Sequence, residues 1–188
     1  SLTLVVRGSN SSAVALHSTD SEGGPQSESF NEAFTLKKGK YSSSSYRLIL
    51  CEIGYELASS AAVPALVPAV PSSGTFVKTG ASFEGHSWDK GAVVIRAKTA
   101  IRVTGFKCMA GDERSDYFHL FLRAGDHADT DPDTIGEGGG WTKMVSPTHG
   151  QAKGTWIDLP LGGAQTLSAG TSLTLVVRGS NSSAVALH

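Results

Sequence analysis

SLTLVVRGSNSSAVALH occupies residues 1–17 and returns unchanged at residues 172–188. A run of that length does not repeat by chance, and self-similarity at a fixed spacing is the mark of a repeat architecture. The two copies lie 171 positions apart. Two origins fit: a window cut from a longer tandem array, or an engineered chain in which a terminal strand was duplicated, as in circular-permutation or domain-swap designs. The missing initiator Met, and a stop at His188 where the first copy runs on, favour the array. Within each copy, Leu2–Val6 and Ala13–Leu16 are apolar, valine-containing runs parted by Gly8, Ser9 and Asn10, which predicts two strands and a hairpin-like turn.

Composition bounds the class. The 188 residues are enough for one domain with a sizeable core, and a charged fraction of 18%, a net charge of -1 and 22 glycines describe a weakly charged, turn-rich chain. No basic concentration is sufficient to track a phosphate backbone, so nucleic acid is not an expected partner. No apolar run reaches the length of a membrane span.

Outward from the repeated stretch, the chain reads as β throughout. Phe34–Leu36 is a short strand closed by the basic turn Lys37–Lys40. Tyr46–Tyr55, YRLILCEIGY, is apolar on both faces and predicts a central strand between covered layers. Further strands are expected at Thr75–Val77, Ala92–Ala97, Ile101–Cys108, Tyr117–Arg123, Trp141–Val145, Thr155–Leu159 and Leu173–Val177, with glycine or proline in nearly every gap. No segment keeps a helical period. Short strands at such spacing predict an all-β, antiparallel β-sandwich of Ig-like or jelly-roll-like type, repeated in tandem.

Residues 62–74, AVPALVPAVPSSG, break this texture. Pro64, Pro68 and Pro71 disfavour helix and ladder pairing alike, which predicts a polyproline-like spacer, docked through Val63, Leu66, Val67 and Val70. Taken as a boundary, this linker divides the chain into residues 1–61, ending one sandwich, and residues 75–188, beginning the next.

The segments Val93–Cys108 (VVIRAKTAIRVTGFKC), Gly138–Met144 (GGGWTKM) and Gly154–Val177 together resemble the β-sandwich repeats of large secreted or surface proteins of algae and other protists, of the kind found in flagellar hairs and cell-surface filaments. The resemblance spans about half the repeat. It implies a structural or adhesive extracellular protein and transfers no catalytic residue.

Few constellations carry chemistry. Asp126, Asp129, Asp131 and Asp133, with Glu137, crowd carboxylates into GDHADTDPDTIGEGGG, the kind of oxygen-rich loop a calcium ion takes. The EF-hand pattern fails at Thr134 and Gly140, so a solvated acidic turn stands beside the calcium reading, and no cofactor is required. Asp112, Glu113 and Asp116 form a second, lesser acidic turn. Asn10-Ser11-Ser12 and its copy at Asn181 fit the N-glycosylation sequon. Cys51 and Cys108, each in an apolar strand, suit a disulfide in an oxidising compartment or a pair of reduced core thiols. In the two-unit frame they sit in successive units, so the bridge is expected between neighbouring copies and their Cα atoms beyond the roughly 7 Å limit. Trp88, Trp141 and Trp156 offer either a sugar-stacking platform or core. No hydrolase elbow, zinc-protease helix, CxxC or phosphate-binding loop is present, and no enzyme is expected.

The expected function is therefore mechanical: a structural repeat of a long extracellular or cell-surface fibre, whose partners are neighbouring copies. The alternative is a carbohydrate- or calcium-binding adhesive module displayed in tandem.

Overall fold

The computed structural model describes residues 27–58, 74–80, 86–111, 117–136, 138–146 and 152–187. They form an all-β, sandwich-like body of antiparallel sheets. Its strands are β1 (Ser27–Ser29), β2 (Phe34–Lys40), β3 (Tyr46–Arg47), β4 (Cys51–Leu57), β5 (Thr75–Lys78), β6 (His86–Trp88), β7 (Lys90–Ala97), β8 (Ile101–Met109), β9 (Phe118–Ala124), β10 (Thr142–Ser146), β11 (Trp156–Leu159), β12 (Gln165–Leu167), β13 (Ser172–Gly179) and β14 (Val185–Leu187). A seven-stranded sheet runs β1-β2-β7-β13-β9-β10 with β3 beside β2, and a five-stranded sheet runs β11-β8-β4-β5 with β12 beside β8. A two-stranded pair, β14-β6, makes up the rest. Among the described residues no helix is long and apolar enough to cross a membrane.

The two larger sheets share one core. From the first come Phe34, Leu36, Val93, Ile95, Leu120, Leu175 and Val177; from the second, Cys51, Ile53, Ile101, Val103, Phe106, Cys108 and Ile157. The alternation along each strand puts these on one face, as a half-buried antiparallel sheet requires. Phe34, Phe106 and Phe118 are fully buried, each contributing about 2–3 kcal/mol of apolar burial.

Strand β13 is paired along both edges. Its residues pair with β7 along one edge, from Ser172↔Arg96 to Arg178↔Lys90, and with β9 along the other, from Leu173↔Ala124 to Gly179↔Phe118. Leu173, Leu175 and Val177 point into the main core, while on the outer face Val176 joins a second cluster with Ala92, Phe121 and Ile135, closed by Trp141. Thr174, fully buried, donates to Gly125 O at 2.8 Å and accepts from His127 N at 3.0 Å. The loop after β9 thus lids the outer face of the sheet centre.

Several expectations are corrected. The boundary at residues 62–74 does not divide the fold: β2 pairs β7 and β4 pairs β8, so residues 27–58 and 74–187 build the same sheets and core. Residues 59–73 lie outside the described residues, but the strands flanking them are register partners, Tyr55↔Thr75, so the proline-rich segment joins neighbouring strands and is no spacer between bodies. Tyr46–Tyr55 is not a single strand. Tyr46–Arg47 pairs β2 in the first sheet, the buried residues Leu48–Leu50 cross between layers, and Cys51 starts β4 in the second. Both faces are apolar because the segment passes through the core. The lysine-rich residues 37–40 continue β2, with Lys37↔Val94 and Lys38↔Val93, instead of turning. The second copy of the repeated stretch forms β13 and β14 but no hairpin, since β14 pairs β6. The first copy lies outside the described residues.

Candidate functional site

The acidic loop is used up as counter-charge and capping. Asp126 accepts from Lys37 Nζ at 2.9 Å and from Ala128 N at 3.2 Å; Asp129 accepts from the Tyr46 hydroxyl at 2.6 Å. Asp131 accepts from Asp133 N at 2.9 Å, capping a 3-10 turn at Pro132–Thr134. Asp133 pairs with Lys90 Nζ, and Arg178 reaches from β13 to the carbonyls of Pro132 and Ile135. Among the described residues no group of three or more His, Cys, Asp or Glu is placed to hold a metal ion. Four carboxylates in one short loop look alike in sequence, but here Asp126, Asp129 and Asp133 each answer to a different strand, while Asp131 caps the turn itself. Glu137, Asp112, Glu113 and Asp116 lie outside the described residues.

These contacts set the charges. Partial burial would raise the Asp126 carboxyl, but the Lys37 hydrogen bond, the Ala128 N–H and the charges of Lys37 and Arg96 outweigh it and hold it below its usual value. Burial would lower the Lys90 ammonium, yet Asp133 and Asp89 more than compensate and keep it above its usual value.

Lys90 also borders the described surface's candidate recognition site, an open groove of about 670 Å³. One wall is Ser87, Trp88 and Asp89 at the end of β6; the other is the turn Gly179–Ser183 between β13 and β14. The walls are fixed to each other by Gly179 N donating to Asp89 O at 2.7 Å and by the β14-β6 register Val185↔Trp88. Trp88 is 44% exposed, with Tyr41 edge-on to its ring at 5.6 Å. Asn181 folds its side chain into the turn, Oδ1 accepting from Ser183 N at 2.9 Å, so the sequon sits in an Asx-type turn on the groove wall. Asn10 lies outside the described residues. An exposed indole beside carboxylate, amide and hydroxyl groups suits a sugar ring, apolar on one face and hydroxyl-rimmed.

The three tryptophans do not form one platform. Trp141 packs on the Phe121–Ile135–Val176 cluster with Arg123 above it, and Trp156 on Leu50, Met109 and Ala186 with Lys78 Nζ at 4.9 Å. The sequence marked this groove through Trp88 and through the sequon at Asn181, but not β6, which carries no strand pattern.

Cys51 and Cys108 are free, fully buried and direct register partners on β4 and β8. The expectation that they occupy separate units is overturned by this register. Met109 N donates to Leu50 O at 2.9 Å, which makes the cysteines a non-hydrogen-bonded pair, whose Cα atoms in antiparallel sheets stand about 4.5 Å apart, within disulfide range. Burial pushes the Cys51 thiol up to about 12, and burial together with the neighbouring Cys51 pushes Cys108 up as well. Comparison with family models, with curated proteins and with solved structures found no match to this chain.

Proposed function

We propose that this chain is a structural unit of a long extracellular or cell-surface fibre, each 171-residue period supplying one sandwich-like body. One observation carries this reading. The body spans Ser27–Leu187 and takes its central strand from the second copy of the repeated stretch, so a single period contains one full set of described strands, with residues 1–17 left over as the counterpart from a preceding unit. The unit frame is then residues 18–188, not the frame in which a boundary falls at residues 62–74. A core shared by the two larger sheets, with ion pairs such as Lys37–Asp126 and Lys90–Asp133, holds the body together, as a load-bearing spacer requires. Neighbouring copies are the partners, and the sequon at Asn181 is the glycan attachment point. The test is the mass of the native polypeptide: many times 19.5 kDa, in filaments by electron microscopy, is the expected result. A native chain of about one period would defeat the reading.

The exposed Trp88 supports a second reading, a glycan-binding module. Quenching or blue shift of tryptophan emission on titration with oligosaccharides, abolished by Trp88→Ala, is its expected signature; an unchanged spectrum across neutral and acidic glycans would remove it.

A further inference from the structure

We propose that the groove beside Trp88 is the seat of the chain's own glycan: the first N-acetylhexosamine of an N-linked oligosaccharide on Asn181 folds back and stacks on the Trp88 indole. This rests on the extracellular part of the fibre reading and deepens it, by committing the groove to one occupant.

The attachment point and the platform are walls of one depression. Asn181 and Ser183, the first and third residues of the sequon, line the groove together with Ser87, Trp88 and Asp89. Gly179, two residues before Asn181, donates to the carbonyl of Asp89, the residue after Trp88, at 2.7 Å. Two residues of chain reach at most about 7 Å, so Asn181 stays close to that contact. On its other side Val185 is the register partner of Trp88 itself. The turn is thus pinned, before and after Asn181, to the segment that carries the indole.

The turn accepts the linkage without rearranging. Asn181 Oδ1 accepts from Ser183 N at 2.9 Å, and because the amide is planar its Nδ2 is directed away from that bond. In the attachment step Nδ2 displaces the pyrophosphate from the anomeric carbon of a lipid-pyrophosphate-linked oligosaccharide. The C1–O bond breaks as the N–C1 bond forms, the lipid pyrophosphate leaves, and Nδ2 gives up one of its two protons to a base of the transferring enzyme. Oδ1 keeps its acceptor role and Nδ2 keeps one N–H. Ser182, between the two groove-lining residues, is exposed, so the turn faces solvent.

The platform matches the ring. Trp88 is largely uncovered yet held in place, with Tyr41 edge-on to it and β6 paired to β14. A pyranose carries C–H groups on its faces and hydroxyls at its rim, so one face can cover an indole while the rim meets Ser87 and Asp89. The groove, at about 670 Å³, falls within the range of small-ligand sites. Tethering supplies what a weak stacking contact lacks: a sugar linked to the turn is present at the groove at an effective concentration of about millimolar or higher.

The test uses the full chain carrying Asn10→Gln, which leaves Asn181 as the sole Asn-X-Ser/Thr site. It is secreted from a eukaryotic host and its glycan is trimmed enzymatically to one N-acetylglucosamine. The same chain with Ser183→Ala, from the same host, is the bare reference. Expected are occupancy at Asn181 by peptide mapping, sugar-ring proton resonances moved upfield by the indole ring current, and a folded-to-unfolded ratio raised about fivefold over the bare chain. Trp88→Ala should abolish the upfield shift and the stability gain together, whereas Trp88→Phe, which keeps an aromatic face, should retain part of both. Three results overturn the proposal. One is a secreted, folded chain with Asn181 unoccupied. Another is a glycosylated chain whose sugar resonances and stability gain are the same with and without Trp88, which would place the glycan in solvent. The third is a glycosylated chain that binds added oligosaccharide at Trp88 as well as the bare chain does, which would leave the groove to another molecule's sugar. The fibre reading fails separately, on the native mass, because the secreting host supplies the glycan whatever the native assembly is.

Discussion

Lys90 keeps an ammonium almost wholly inside the protein, its side chain 8% exposed, while its partners Asp89 and Asp133 stay 34% and 64% exposed. The asymmetry decides what each substitution costs. Lys90→Met removes the buried charge and lets both carboxylates rehydrate, so the expected loss is only about 1–2 kcal/mol in urea unfolding. Asp89→Ala with Asp133→Ala strands the ammonium, and the expected loss is larger, about 3 kcal/mol or more. The reverse order would mean that Lys90 matters through its aliphatic packing. Because the ammonium is held above its usual 10.5, its contribution is complete below that pH and disappears as pH rises through the higher folded value, so wild type and Lys90→Met should converge in strong alkali. Asp126 has the opposite sign: its value is depressed, so its contribution is present above about 3.8 and is lost as pH falls through the folded value. None of this is legible in the sequence. GDHADTDPDT reads as a cation loop because spacing says nothing about which strand lies opposite each carboxylate, and Lys37, Tyr46 and Lys90 arrive from distant positions.

At the level of strands, sequence patterns locate most of the ladder and miss what is short or polar. Ala92–Ala97, Ile101–Cys108, Tyr117–Arg123 and Thr155–Leu159 all match strands within two residues, since each alternates or is continuously apolar. β6 and β12, HSW and QTL, carry no period that could be recognised, and β2 runs on through lysines because their heads face solvent and Asp126 while Leu36 enters the core. Pairing is less legible still, and the β4-β8 pair is the clearest instance. Its cysteines meet across a 57-position separation that no local pattern records. Their thiols, one raised to about 12 and the other raised as well, supply almost no thiolate near neutrality. Folded, reduced protein should therefore resist oxidised glutathione at pH 8. Refolding in its presence should instead join the two cysteines, both thiols giving up a proton and an electron to the glutathione disulfide, and non-reducing peptide mapping should recover the Cys51 and Cys108 peptides linked within one chain. The closed loop is expected to add about 4 kcal/mol to stability. Mapping that finds the two peptides linked between chains would reject the register.

For the whole molecule, the proline-rich residues 62–74 look the same between two domains as between adjacent strands of one sheet, and only long-range pairing tells them apart. Such pairing dominates here, and it has an order in time. Ribosomes deliver a chain from its N-terminus at about 5–20 residues per second. By the time β10 has emerged, β2, β7 and β9 all exist, but the strand that belongs between β7 and β9 has not been made. Two sheet edges must wait, apolar on their inner faces and unpaired along their backbones, through the synthesis of β11 and β12. Open edges of that kind invite pairing with other chains. The order of synthesis therefore leaves the seam between β7 and β9 as the last gap in that sheet to be sealed.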